Sequence, residues 1–500
     1  MLRRFIAGAS YGVLAGIAGK ILFSLSSIVV ARVLGAHDYG VYVNVMAFVN
    51  VLSIVCLFGI HTAFSAFVPH YVQTNPAHVR SVIVAGFSLV AFVLLAVGVG
   101  VLVSAEHIAA LVYDEHIAGA ILRFALIILC GIVLNTAAMA VVYGFQEFRQ
   151  YALLTIASSA LVMLLAVIGA FTFGVQGVIV GSGVAYVFSA SIVGIVIEPR
   201  IERLAQGSVG GWKESLREIL RFAVPTFLSG IFVAPAYWIG NFLMTQAGDT
   251  SSSGYFGVAS ALAQVVLFVP TTLAAPLIPI LSEVHAQGEE GRFASLVLKN
   301  VRLVWLATLP LAASFGIAAF AVVTMVYGAS YAPAVKSFMI LLGVNTLIAV
   351  EGVLGNVLIA KKQMWGSFVA NLLWFSVFII LALLFVRRGG HVEFAFSLLC
   401  AYGIFGVVIA MMLRRHVKFD GASRAVLPLA LLTLIVFSVL WWMGNAAWHT
   451  GVKIVAALLF STLLGVIEWQ WFVSPDERAL AREAIHNVLG KYFGRSEHIG

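Results

Sequence analysis

Residues 31–42 read ARVLGAHDYGVY. An apolar run reaches Arg32 and halts at Leu34-Gly35-Ala36-His37-Asp38, and a second apolar run starts at Tyr39-Gly40. The stretch reads as a tight turn between two membrane crossings, with an arginine at the end of the first. Outward from it the pattern recurs along the chain: apolar runs of about 20 residues, enough to cross a bilayer as a helix, separated by short polar turns. Backbone groups in lipid need partners within their own element or a closed barrel, and a barrel strand needs only about ten residues, so these runs are helices.

Composition agrees. Of 500 residues, 62% are hydrophobic and 10% charged, and the mean hydropathy is +1.06, whereas a soluble domain carries roughly 25% charged residues. No long polar stretch offers a separate soluble domain, so the chain reads as one polytopic membrane unit. MLRRFIAGAS has the basic start of a signal peptide, but its apolar run passes Val30 without a cleavage-like site and reads as the first span. Cys56, Cys130 and Cys400 lie inside apolar spans as small core residues, with neither disulfide nor metal spacing. No HExxH, P-loop or nucleophile elbow occurs. YDEH at 113–116 reads as a solvated loop. No catalytic residue, metal or cofactor is expected.

Run lengths give about fourteen spans, among them 10–33, 41–63, 222–246, 255–281 and 303–327. The formal charge of +8 raises nucleic acid as a partner, but its distribution removes it. With the N-terminus in the cytoplasm, one set of alternate segments holds most of the basic residues, Arg3, Arg4, Arg80, Arg149, Arg200, Lys213, Arg217, Arg221, Lys361 and Arg414 among them. The opposite loops hold Lys336, Arg387 and Arg388. This is the insertion signal of a membrane protein with both termini cytoplasmic. Ser474-Pro475-Asp476-Glu477 starts an amphipathic tail helix at the cytoplasmic interface.

The chain repeats itself at one offset. LVYDEHIAGAILRF from Leu111 aligns with MVYGASYAPAVKSF from Met325, placing Tyr113 on Tyr327 and Phe124 on Phe338, 214 positions apart (327 − 113). The same shift puts Gly40 on Gly254, Tyr42 on Phe256 and Asn50 on Gln264. It spans about six helices, an even number, so the halves share one orientation about an axis along the membrane normal. The expected organisation is a six-helix half at 1–197, a cytoplasmic linker at 198–221, a second six-helix half at 222–414, two extra helices at 425–473 and the tail at 474–500.

ARVLGAHDYGVY, VYGASYAPA at 326–334 and GYFGVASALAQ at 254–264 together resemble the polysaccharide flippases. These belong to the superfamily that also holds multidrug-and-toxin-extrusion transporters and the lipid II flippase. The resemblance covers essentially the whole chain. It implies a MATE-like, all-α fold and translocation of an undecaprenyl-pyrophosphate-linked oligosaccharide by alternating access. It implies as partners that lipid-linked glycan, membrane lipid and a polysaccharide polymerase machinery.

Ionisable groups in membrane helices mark function by default. Lys20 sits near the middle of the first span, on one face with Gly12, Gly16, Ser24 and Ser27, and this face of small and polar residues points inward. A pairing carboxylate is the structural alternative. Arg32 and Arg123, near the outer ends of spans one and four, either bind phosphate through paired hydrogen bonds or reach out to the interface. Asn44, Asn50, Asn135, Asn241, Gln264, Asn345 and Asn356 are expected to face sugars, the alternative being hydrogen bonds between helices. Glu351, the main deep carboxylate, either carries a coupling ion or neutralises a cavity lysine. Pro225, Pro235, Pro270, Pro276 and Pro279 mark bends in spans seven and eight. Two rivals remain: a cation-coupled drug antiporter, which calls for inward carboxylates, and a glycan polymerase or ligase, which calls for a large outer loop rich in arginine and histidine.

Overall fold

The chain turns at Gly35. In a computed structural model, α1 (Leu2–Leu57) is divided there by φ 77° and ψ 175°, a conformation open to glycine and strained for residues with a Cβ. The arms 2–34 and 36–57 are the two crossings read from the opening stretch. The structure describes the backbone of residues 2–112, 118–204, 211–247, 250–268, 281–361 apart from 282 and 286, 363–414, 422–445, 450–472 and 478.

Among these residues the structure is helical, without strands. After α1 come α2 (Ile60–Thr74), α3 (Pro76–Val112), α4 (Ala118–Gly144) and α5 (Phe148–Leu204). Phe173 and Gly174 divide α5 as Gly35 divides α1. Then follow α6 (Trp212–Gly230), α7 (Val233–Ala247), α8 (Ser251–Ala263), α9 (Glu290–Ile317), α10 (Ala319–Tyr327), α11 (Ala334–Ala360), α12 (Met364–Gly389), α13 (His391–Arg414), α14 (Ala422–Asn445) and α15 (Thr450–Ile467). Nine helices among the described residues are long and apolar enough to cross a membrane, including the two divided ones. The pair α6 and α7, bent by 44°, passes the same test together. Pro225 lies inside α6 and Pro235 in the first turn of α7, on either side of this bend.

Three expectations need correction. Span 41–63 does not run straight: Phe58 and Gly59 take positive φ, and α2 leaves in a new direction where Gly59 meets Ala223 of α6. The described residues of the 198–221 linker are mostly helical, because α5 continues to Leu204 and α6 begins at Trp212. Its charges hid a four-residue period. Ser215, Ile219 and Ala223 are buried, while Lys213, Arg217 and Arg221 are exposed, which is an amphipathic helix lying on its neighbours. Ser81 and Ser215 meet at 3.0 Å, and the Tyr71 hydroxyl donates to Glu218 at 2.6 and 2.7 Å. Burial, with Glu218 acting in the same direction, pushes the Tyr71 phenol up to about 12. Third, span 303–327 starts earlier, at Glu290, and breaks at Ala318. Span 255–281 is described to Phe268, its last turn tightened into a 3-10 segment, Gln264–Leu267. Pro270, Pro276, Pro279, the 113–116 loop and all of the 474–500 tail except Arg478 lie outside the described residues.

One core joins the second arm of α1 with α2, α3, α4, the second arm of α5 and α6, including Val49, Phe64, Leu129, Ile179 and Ile219. A second joins α7 through α15 and takes in Val30, Ala31 and Tyr39 of α1 and Ala166, Ala170 and Val178 of α5. The C-terminal pair docks on α9: Trp305 donates to Thr433 at 2.7 Å and Ser314 to Ser461 at 2.7 Å.

Candidate site at the seam between α1 and helices α7 to α11

The second arm of α1 runs along α8 and α7, and the Phe58-Gly59 turn after it meets α6. Closest approach is at Gly40 and Gly254. A Cβ on Gly40 would strike the Thr250 carbonyl oxygen, and one on Gly254 would strike the Ala36 carbonyl oxygen, so both positions require glycine for the backbones to meet. The two glycines paired by the 214-residue shift thus pack against each other. Further along, Asn44 donates to Thr245 at 2.9 Å, Phe48 packs on Trp238 with ring centroids 5.8 Å apart, and Phe58 stacks on Phe227 at 4.6 Å.

Beside the Gly35 turn the seam is locked by tyrosines and one arginine. Ser27 Oγ lies 2.8 Å from the Tyr39 hydroxyl and 3.3 Å from that of Tyr327. Tyr331 donates to the Ala31 carbonyl at 2.7 Å. Tyr39 and Tyr331 meet edge to face. Arg32 donates through Nε to the Val326 carbonyl at 2.7 Å and through Nη2 to that of Met325. These carbonyls end α10, where a cation is favoured. Arg32 is therefore neither an unengaged cation for phosphate nor a group reaching out to the interface; its donors clasp α10. Of the latch tyrosines, none was singled out as a site residue from sequence. The available signal was their place in the two most distinctive stretches: DYGVY supplies Tyr39, VYGASYA supplies Tyr327 and Tyr331, and those stretches touch.

Lys20 lies on the same face as Ser27 but beyond the latch. It is exposed, its Nζ is 5.2 Å from the centre of the Phe268 ring across the seam, and no carboxylate among the described residues pairs with it. Gly16, one turn earlier, faces open space, as do Gly352 and Gly355 on α11. Asn50 and Gln264, each ten residues past its seam glycine, are both exposed. At about 1.5 Å per residue they stand at similar depth below the Gly40–Gly254 contact. Asn356 is half-buried on α11, and Asn345 is buried.

The remaining candidates are placed elsewhere or engaged. Arg123 pairs with Glu106 of α3 at 2.7 Å, on an exposed face away from Lys20, so a local ion pair accounts for it. Asn241 is buried and donates to the Tyr237 carbonyl at 2.9 Å, while Thr245 donates back to the Asn241 carbonyl at 3.0 Å. Asn44 and Asn241 thus belong to the packed seam. Asn135 sits between α4 and α5, accepting from Ser189 at 2.8 Å. Glu351 is 6% exposed, and neither carboxyl oxygen has a hydrogen-bond partner. It packs on α13, where a Cβ at Gly406 would lie 2.9 Å from Oε1. Tyr402 stands beside it, hydrogen-bonded to Tyr237. Glu351 does not neutralise Lys20.

Residues 29–336, more than half the chain, match the family described as polysaccharide biosynthesis protein. The chain belongs to this family. Among its relatives is the EPS I polysaccharide export inner membrane protein EpsE of Ralstonia solanacearum, 25% identical over 411 residues, spanning 80% of this chain and 91% of that protein. The corresponding protein of Ralstonia nicotianae is 22% identical over 394 residues, with 77% and 88% covered. In fold, the lipid II flippase MurJ in an inward closed conformation superposes with a TM-score of 0.70 at 16% identity, over 92% of this chain and 98% of that one. An inward-facing multidrug resistance MATE transporter gives 0.66 at 14% identity, over 83% and 99%. The polysaccharide biosynthesis family member described here therefore has the helical membrane fold of the superfamily that MurJ and MATE proteins share.

Proposed function

We propose that this protein is a flippase. It moves an undecaprenyl-pyrophosphate-linked oligosaccharide from the inner to the outer leaflet of the bacterial inner membrane, by alternating access, for assembly of a surface polysaccharide. Its architecture is about fourteen helices, two parallel six-helix halves and two extra, with both termini cytoplasmic. The observation that carries the reading is Lys20: a mid-membrane lysine, exposed at the seam and unpaired by any described carboxylate, in a chain of the polysaccharide biosynthesis family. A cation at membrane depth needs an anion, and a pyrophosphate headgroup supplies one. The contact of Gly40 with Gly254 supports the two-half layout, since equivalent residues meet where a pseudo-axis passes.

In this reading the glycan and pyrophosphate enter between the halves while the isoprenoid stays in lipid, and no covalent bond changes. Asn50, Gln264 and Asn356 offer neutral donors and acceptors to sugars. The tyrosine and Arg32 latch is the outer gate, shut in this structure. The membrane potential favours outward movement of negative charge by about 2.3 kcal/mol per charge per 100 mV. Glu351, buried without a partner, is the candidate for a coupling proton or cation. That carboxyl favours a cation-coupled antiporter, and the uncompensated Lys20 weighs against organic cations as cargo.

The test is surface glycan display in a strain lacking its native flippase, with protein abundance measured in parallel. Lys20→Ala should abolish display and Lys20→Arg should retain part of it. Full display by Lys20→Ala would leave Lys20 a packing residue and remove the cationic site.

A further inference from the structure

A cavity lies among the N-terminal helices. It occupies about 440 Å3 between α2, α4 and both arms of α5. Its walls are uncharged apart from whatever proton His61 carries: among the described residues no Lys, Arg, Asp or Glu lines it. Three tyrosines do, at 143, 151 and 186, and the rings of Tyr143 and Tyr151 meet edge to face at 5.3 Å.

The polar groups of this cavity are underused. His61 Nδ1 is buried without a hydrogen-bond partner. The hydroxyls of Tyr143, Tyr186 and Ser158 have none among the described residues either. Ser189 fixes Asn135 through its Oδ1, which leaves the amide nitrogen as a donor. Buried polar atoms are normally satisfied, so the orphaned His61 nitrogen, beside the hydroxyls of exposed Tyr143 and half-buried Tyr186 that open onto a roomy void without partners among the described residues, points to an occupant. That occupant must present hydroxyls in several directions and apolar C–H faces to aromatic rings, and must carry no phosphate, since nothing here would offset its charge.

We propose that this cavity is a saccharide subsite that takes a neutral pyranose unit of the transported glycan beyond the first sugar. The proposal rests on the flippase reading and adds to it where the sugar goes. Helix α1 connects the two places. Gly19 packs on the wall of this cavity, with Ser159 Oγ 3.2 Å from where a Cβ would stand, and the next residue, Lys20, faces the seam. Charge is recognised at Lys20 and sugar identity on the other side of the same arm. The volume falls in the range of small-ligand pockets, about 300–1,000 Å3, and limits the subsite to one or a few rings.

The experiment uses the full chain in proteoliposomes containing undecaprenyl pyrophosphate bearing either the whole oligosaccharide or its first sugar alone. Flipping is read as inner-leaflet sugar becoming oxidisable by impermeant periodate. Tyr143→Phe and Tyr186→Phe keep the rings and remove the hydroxyls; each should slow the oligosaccharide about five-fold, the cost of one lost hydrogen bond, and leave the single-sugar cargo unchanged. Ser158→Leu fills the cavity and should block the oligosaccharide while single-sugar transport shows that the variant is folded. Equal transport of both cargoes by all three variants would overturn the subsite, and so would equal loss of both, which marks a structural role. A Phe variant that behaves as wild type while Ser158→Leu blocks only the larger cargo would also overturn it, since shape rather than sugar hydroxyls would then be sensed. Failure of the wild-type protein to move either cargo would remove the flippase reading itself, and the subsite with it.

Discussion

Removing Arg32 should open the seam beside the Gly35 turn. Two charge-assisted hydrogen bonds join its guanidinium to the carbonyls of Met325 and Val326. Such bonds contribute about 1.5–3 kcal/mol each when buried. Arg32 is exposed, and solvent screening discounts the pair, leaving about 2 kcal/mol in total. If the latch exists only in the closed state, its loss shifts the closed-to-open equilibrium by about thirty-fold. The reporter is a cysteine at Val43 in a cysteine-free background. Val43 packs against Gly257 of α8 on the far side of the Gly40–Gly254 contact, so an impermeant thiol reagent reaches it only when the seam parts. Arg32→Ala should raise its labelling rate about ten- to thirty-fold, and Arg32→Lys, which keeps the charge but lacks the rigid fork of spaced donors, should fall between. Tyr331→Phe, losing the single bond to Ala31, should give a few-fold rise. Unchanged labelling in Arg32→Ala, with the protein folded and monodisperse, would refute the latch and make the arginine an interfacial anchor.

Glu351→Gln should preserve abundance and fold but abolish the dependence of surface glycan display on the imposed pH or sodium gradient; retention of that dependence in the variant would exclude the carboxyl from coupling. Gly40→Val should lower the melting temperature in detergent by several degrees, because its Cβ meets the Thr250 carbonyl and overpacking costs about 1–3 kcal/mol; a neutral result would show that the two helices part easily there. Thr433→Val removes the acceptor for Trp305 and should cost about 1–2 kcal/mol, read as a lower unfolding midpoint with glycan display intact. Single cysteines at Ser252 and Ser423 should respond oppositely to an impermeant reagent added outside, Ser252 labelling and Ser423 not, and equal labelling would sink the assigned orientation.

What the chain determined by itself was local or compositional. Apolar run length and the scarcity of charge dictated membrane helices, because lipid leaves the backbone few other solutions. Gly35 was legible as a turn because its neighbours are turn formers and its conformation needs glycine. The 214-residue shift makes Gly40 and Gly254 equivalent in sequence, although only the fold puts them in contact, and Lys20 stands out because a mid-span lysine is costly wherever the rest of the chain lies. Other features depended on partners that no periodicity reports. Arg32 looks identical in sequence whether it binds phosphate, snorkels or grips α10; only the approach of residues 325 and 326, almost three hundred positions away, decides. Arg123 was equally ambiguous until Glu106 was found beside it. The 198–221 stretch looked like a loop because its charges outweighed a four-residue apolar stripe, whose burial depends on α2 and α3 being there to receive it. The tyrosine-lined cavity is made of single polar residues on α2, α4 and α5, each ordinary in its own helix, and becomes a site only when packing turns them toward one void.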